Sequence, residues 1–132
     1  MRRALLPVLA ALLVCGCWSR EFRLSGSITV ATHMLNRVPK TNVVLFIVAK
    51  NEGGVPVAVK RVVNPQFPVD YVLTGEDLIV PGSTPKGALT LEVEMNTHGN
   101  VGQPVKGDFW GVHPDPVYAG ERFVHVVIDR RR

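Results

Sequence analysis

Leu89-Thr90-Leu91-Glu92-Val93-Glu94-Met95-Asn96 decides the fold class of this chain. Successive side chains on a strand point to opposite faces. An extended backbone therefore puts Leu89, Leu91, Val93 and Met95 on one face, and Thr90, Glu92, Glu94 and Asn96 on the other. Period two predicts a strand with one buried and one wet face. A surface helix would instead repeat its apolar residues at spacings of three and four.

Upstream, Val43-Val44-Leu45-Phe46-Ile47-Val48-Ala49 is apolar without interruption. The run is too short and too β-branched for a helix, so it reads as a central strand covered on both faces. Asn51-Glu52-Gly53-Gly54 is a turn. Val57 to Val63 and Val69 to Thr74 read as further strands, the second introduced by Asn64-Pro65 and Pro68. Leu24 to Ala31 alternates, with Leu24, Ile28 and Val30 inward. Phe123 to Asp129 closes the domain, with Val124, Val126 and Ile128 inward and His125 outward. Gly75 to Gly87 reads as a long loop, and Gly102 to Tyr118, rich in Gly and Pro, as irregular chain. No amphipathic helix of useful length follows residue 22. Six or seven short strands at turn-punctuated spacing predict an all-β sandwich of mostly antiparallel strands.

The start of the chain has a different character. Arg2 and Arg3 precede an apolar run from Ala4 to Val14, and Val14-Cys15-Gly16-Cys17 follows. The apolar run falls far short of the roughly 20 residues that span a bilayer. It reads as a cleaved secretory signal over residues 1–16. Small residues directly before Cys17 make it the expected lipid acceptor, carrying acyl chains such as palmitate, with residues 17–22 as a tether and 23–132 as the domain. The expected address is the cell envelope. Trp18 stands after the acceptor where Asp would signal inner-membrane retention, which leans toward the outer membrane, facing the periplasm.

Cleavage before Cys17 removes half of the formal net charge of +4, and Arg130-Arg131-Arg132 carries most of what remains. The basic surplus is therefore no nucleic-acid signal, and no aromatic stripe accompanies it. The chain has only two cysteines. Cys15 leaves with the signal and Cys17 is lipidated, so the mature domain has no thiol for redox chemistry and no disulfide. Its stability must rest on its hydrophobic core.

Candidate chemistry is sparse. His33, His98, His113 and His125 form no pair at metal-ligand spacing. His33 beside Met34, and His98 near Met95, raise copper as an alternative, since methionine and imidazole suit that metal. Neighbours on a strand face opposite ways, however, and Met95 sits on the inward face, so we expect no metal site and no cofactor. Glu92 and Glu94 share an outward face, where paired carboxylates are usually solvated charge, as are Glu76 and Asp77. Asp108 and Asp115 stand alone in the Gly/Pro-rich segment. No nucleophile–base signature or phosphate loop is present, so we expect no enzyme. Lys106-Gly107-Asp108-Phe109-Trp110-Gly111 sets two aromatics beside glycines. They cap one end of the core, or anchor a partner, since aromatics dominate binding hot spots. An open strand edge is a second place where an extended partner could dock.

The order of segments carries a resemblance. It runs through Leu24-Ser25-Gly26-Ser27-Ile28-Thr29-Val30, then Asn42-Val43-Val44-Leu45-Phe46-Ile47-Val48-Ala49-Lys50, then Pro56-Val57-Ala58-Val59-Lys60-Arg61. Phe67-Pro68-Val69-Asp70-Tyr71-Val72-Leu73 follows, with Gly99-Asn100 before Gly102-Gln103-Pro104. Lys106-Gly107-Asp108-Phe109-Trp110-Gly111 and Val126-Val127-Ile128-Asp129 complete the set. Over residues 24–129 it resembles the extracytoplasmic C-terminal domain of the CycH-type cytochrome c maturation protein. The resemblance implies an Ig-like β-sandwich attached to the machinery that delivers apocytochrome c for haem attachment, and it brings no catalytic residue. Full-length members also carry membrane helices and tetratricopeptide repeats. We read neither here and expect a stand-alone, lipid-tethered copy that contacts apocytochrome c or the haem-attachment machinery. The alternative is a structural envelope lipoprotein unrelated to cytochromes.

Overall fold

A computed structural model describes residues 21–132. The expected signal peptide, the expected lipid acceptor Cys17 and residues 17–20 of the expected tether lie outside the described residues. Eight strands follow in chain order: β1 (Arg23–Val30), β2 (Val44–Lys50), β3 (Pro56–Val63), β4 (Val69–Thr74), β5 (Thr90–Asn96), β6 (Phe109–Val112), β7 (Val126–Ile128) and β8 (Arg130–Arg131). They form a three-stranded sheet of order β4-β1-β7 and a five-stranded sheet of order β3-β2-β5-β6-β8. All pairings are antiparallel except β1 with β7. The expected all-β sandwich is therefore present.

The inner faces meet as the sequence alternation requires. Leu24, Ile28 and Leu73 come from one sheet; Leu45, Ile47, Leu91, Val93 and Met95 come from the other; all are 0–1% exposed. Removing each such side chain from water favours folding by about 1.5–3 kcal/mol. Phe22 joins this core at 2% exposure. The tether is expected to run through residue 22, but a large apolar ring beside the end of β1 is more stable inside, so Phe22 packs with the domain.

The apolar run of β2 is covered on both sides. Leu45, Ile47 and Ala49 enter the main core. Val44, Phe46 and Val48 form a second buried cluster on the outer face with Val59. β2 can do this because it lies between β3 and β5.

Three expectations change. The outer face of β5 is not simply wet: Asn96 is 3% exposed, and Glu92 and Glu94 are half-buried. The chain after β5 folds back, with Asn96 Nδ2 donating to the Asn100 carbonyl (2.8 Å) and Gly99 N–H donating to Asn96 Oδ1 (2.8 Å). The segment expected to be irregular contains β6, which pairs with β5 from Glu92↔Val112 to Met95↔Phe109. The final strand is shorter than expected and changes sheets. Phe123 has a positive φ of 60° and is 79% exposed, so regular pairing starts only at Val126. Beyond Asp129 the chain leaves β1 and pairs with β6.

Two glycines let the closing segment pass close to the backbone of β1 and then of β6. A Cβ on Gly26 would collide with the Val124 carbonyl oxygen, and one on Gly111 with the Val127 carbonyl oxygen. Among the described residues no helix is long and apolar enough to cross a membrane.

Candidate functional site

Chemistry-bearing side chains collect at one end of the five-stranded sheet, around the loop from Thr97 to Gly107 that joins β5 to β6. Asp108, 4% exposed, is its hub. His98 Nε2–H donates to both Asp108 carboxylate oxygens (3.1 and 3.0 Å), and Val105 N–H donates to Oδ2 (2.9 Å). Asn100 N–H donates to His98 Nδ1 (3.3 Å), which is consistent with the proton on Nε2.

Glu94 completes the group. It lies on β5 opposite Trp110 of β6, on the outer face. Its Oε1 is buried without a hydrogen-bond partner among the described residues. Donor atoms of Glu94, His98 and Asp108 lie within 4.8 Å of one another. Burial raises the Glu94 carboxyl above its ordinary range, and the facing Asp108 raises it further. Burial also pushes Asp108 up, but the hydrogen bonds it accepts from His98 and the Val105 N–H hold it below its ordinary range. The pair thus divides roles: Glu94 keeps its proton more readily, and Asp108 stays ionised. These are the three described residues that could hold a divalent ion together. His98 and Asp108 already satisfy each other, so an ion would have to displace that bond.

Sequence reading did not group these residues, because Glu94 looks like solvated charge and Asp108 sits in a segment without periodicity. The one signal was the polar turn Asn96-Thr97-His98-Gly99-Asn100 directly after a clean strand.

The two aromatics of the loop separate. Phe109 faces inward at 4% exposure and caps the core. Trp110 faces outward and is half-buried. Its ring carries the guanidinium groups of Arg130 (4.6 Å to the ring centroid) and Arg132 (4.8 Å). Arg131, on the alternate face of β8, reaches the Phe109 ring (5.3 Å). The basic C-terminus is therefore stacked on the aromatic strand by cation–π contact. The surface available for contact is the Trp110–arginine stack, with Phe109 beneath it.

Other candidates have structural roles. Glu92 pairs with Lys50 (2.7 Å). Asp77 Oδ2 accepts from Thr74 N–H (2.8 Å) in a capping box. His125 Nδ1 accepts from Ser27, and His113 Nδ1–H donates to the His125 carbonyl (2.7 Å). Asp115 and His33 are exposed. Met34 and Met95, 5% and 0% exposed, belong to the core, which leaves a His–Met copper set without its thioethers.

The strand edges are partly closed. Ile79 N–H donates to the Val57 carbonyl on β3 (3.0 Å). Lys60 Nζ donates to the Val72 carbonyl on β4 (3.0 Å). Lysines on edge strands discourage pairing with another chain.

Comparison with known proteins places this geometry. The chain is 31% identical over 106 residues to an uncharacterized protein of Aquifex aeolicus (strain VF5), which covers 80% of this chain and 69% of that protein. No solved structure matches it. Residues 24–129 match the family model of the cytochrome c-type biogenesis protein H Ig-like domain. That span takes in seven of the eight strands almost completely, together with Glu94, His98, Asp108 and Trp110. The chain belongs to the family of the cytochrome c-type biogenesis protein H Ig-like domain.

Proposed function

We propose that this protein is a non-enzymatic, lipid-anchored module of the cell envelope that serves c-type cytochrome maturation by contacting an exported protein partner. The family match over residues 24–129 is the observation that carries the reading. Several features agree with it. The described domain has no cysteine, so it does no thiol chemistry on apocytochrome and supplies no cysteine for haem attachment. Its polar cluster is closed on itself through His98 and Asp108 rather than aimed at a nucleophile. The Trp110–Arg130–Arg132 stack offers an aromatic and cationic surface of the kind that anchors protein partners. A lipid on Cys17 would hold that surface where c-type haem attachment takes place.

The test is affinity capture of the full chain from native membranes, with Trp110→Ala in parallel. We expect apocytochrome or haem-handling proteins with the wild type and at least a tenfold loss with the variant. Recovery of neither class by the wild type overturns the maturation role. Equal recovery by W110A overturns the contact surface alone. A mature mass that retains residues 1–16, or an unmodified Cys17, overturns the lipid anchor.

A further inference from the structure

The loop end of the sandwich contains an open pocket of about 350 Å³ whose charged lining is mainly cationic. Three cations reach it from separate parts of the chain: Arg37 from the short 3-10 helix Thr32–Arg37, Lys106 from the β5–β6 loop, and Arg131 from β8. Among the described residues Asp108 is the only acid lining it, and its carboxylate is already committed to His98 and the Val105 N–H. Glu94, the next acid, lies in the field of Arg132. The Asn96 amide is likewise occupied, by Asn100 and Gly99. Val43, Met95 and Phe109 supply an apolar floor.

Arg131 packs against two neighbouring groups. Its Nε lies 3.4 Å from the Gly107 carbonyl oxygen, and its guanidinium rests over the Phe109 ring. A guanidinium held by its stem and one face keeps its terminal N–H fork free, the geometry that suits a planar two-oxygen anion. The volume is at the low end of ligand pockets, which run from about 300 to 1,000 Å³.

We propose that this pocket binds a carboxylate on a short apolar body, with Arg131 gripping the oxygens, Lys106 and Arg37 supplying further charge, and the Phe109 floor taking the apolar part. The inference does not rest on the maturation role. Such a carboxylate has two sources, a free small acid or the C-terminus of a polypeptide.

Calorimetric titration of the full chain with hexanoate, with N-acetyl-Ala-Leu-Phe, and with the C-terminal amide of that peptide separates the outcomes. We expect at least one acid to bind, the amide to bind at least tenfold more weakly than the peptide acid, and Arg131→Gln to weaken binding at least tenfold. Lys106→Gln, at an exposed position that should not disturb folding, should weaken it about threefold. Peptide acid tighter than hexanoate identifies a chain terminus; hexanoate equal or tighter identifies a free acid. Binding of neither acid, a peptide acid that binds no tighter than its amide, or unchanged affinity for the bound acid in R131Q or in K106Q overturns the proposal; hexanoate binding with no binding of either peptide form identifies a free acid.

Discussion

His98 Nε2–H points between the two oxygens of Asp108, at 3.1 and 3.0 Å, and this contact closes the loop between β5 and β6. The carboxylate is 4% exposed and also accepts the Val105 N–H. Asp108→Ala leaves both donors without a partner. We expect a loss of about 2–3 kcal/mol in urea unfolding. His98→Ala, removing one side chain that is 25% exposed, should cost about 1 kcal/mol. A smaller loss in D108A than in H98A would show that Asp108 is not the hub.

Glu94 provides a pH dependence of known sign. Its affinity for a proton is raised in the folded state, above its ordinary 4.5. The stability this brings is complete below that value and is lost as pH rises through the folded value. Asp108 is lowered from its ordinary 3.8, so its contribution is present above that value and is lost as pH falls through the folded value. Glutamine mimics protonated Glu94. Glu94→Gln should raise the thermal midpoint at pH 7 by about 2–5 °C, a gain that shrinks toward pH 4. A gain that instead grows toward pH 4 would reverse the assigned direction.

Gly111 lies under the Val127 carbonyl where the last strand crosses between sheets. Gly111→Ala puts a methyl group into backbone that cannot move away as a side chain could. The expected cost is about 3 kcal/mol or more, seen as a fall in the chemical-denaturation midpoint. Gly75→Ala, where the added methyl meets nothing within 4 Å, is the matched control and should change stability by less than about 1 kcal/mol. Similar losses in the two variants would remove the close approach as the cause.

The Tyr71 hydroxyl donates to the Val124 carbonyl (2.6 Å) inside the core, and burial raises its pKa well above the ordinary tyrosine range. Tyr71→Phe keeps the ring and leaves that carbonyl short of a donor. We expect a loss of about 1–2 kcal/mol and faster amide exchange at Val124, whose N–H donates to the Ser25 carbonyl (2.9 Å). Unchanged exchange there would mean that Tyr71 does not hold the segment along β1.

Arg130 and Arg132 cover Trp110 from β8 and the C-terminus. The double substitution Arg130→Ala, Arg132→Ala should expose the indole, shifting tryptophan emission to the red and lowering stability by about 1 kcal/mol. The second tryptophan, Trp18, adds a background that cancels in the difference spectrum. No change in quenching by iodide would dissolve the stack.

Much of the architecture was legible because strand periodicity is local. Leu89 to Asn96 and Val43 to Ala49 specify their faces by side-chain order, and the structure puts them at adjacent positions in one sheet. β6 was not legible, since four residues that include a glycine carry too little alternation. The end of the chain was only half legible. Val124, Val126 and Ile128 are inward as the pattern requires, but the left-handed Phe123 and the change of sheet at Asp129 depend on partners far away in sequence.

The sequence by itself determined the all-β class, the inward faces of the long strands, the thiol-free domain from residue 22 onward and the family resemblance. These follow from residue order and composition, which are one-dimensional properties. Only the tertiary structure decided that Glu94, His98 and Asp108 share one cluster, that the terminal arginines stack on Trp110, and that Arg37, Lys106 and Arg131 surround one pocket. Each of these joins side chains from different strands or loops. Their meeting is set by sheet order and by the fold-back after Asn96, and no periodicity along the chain records it.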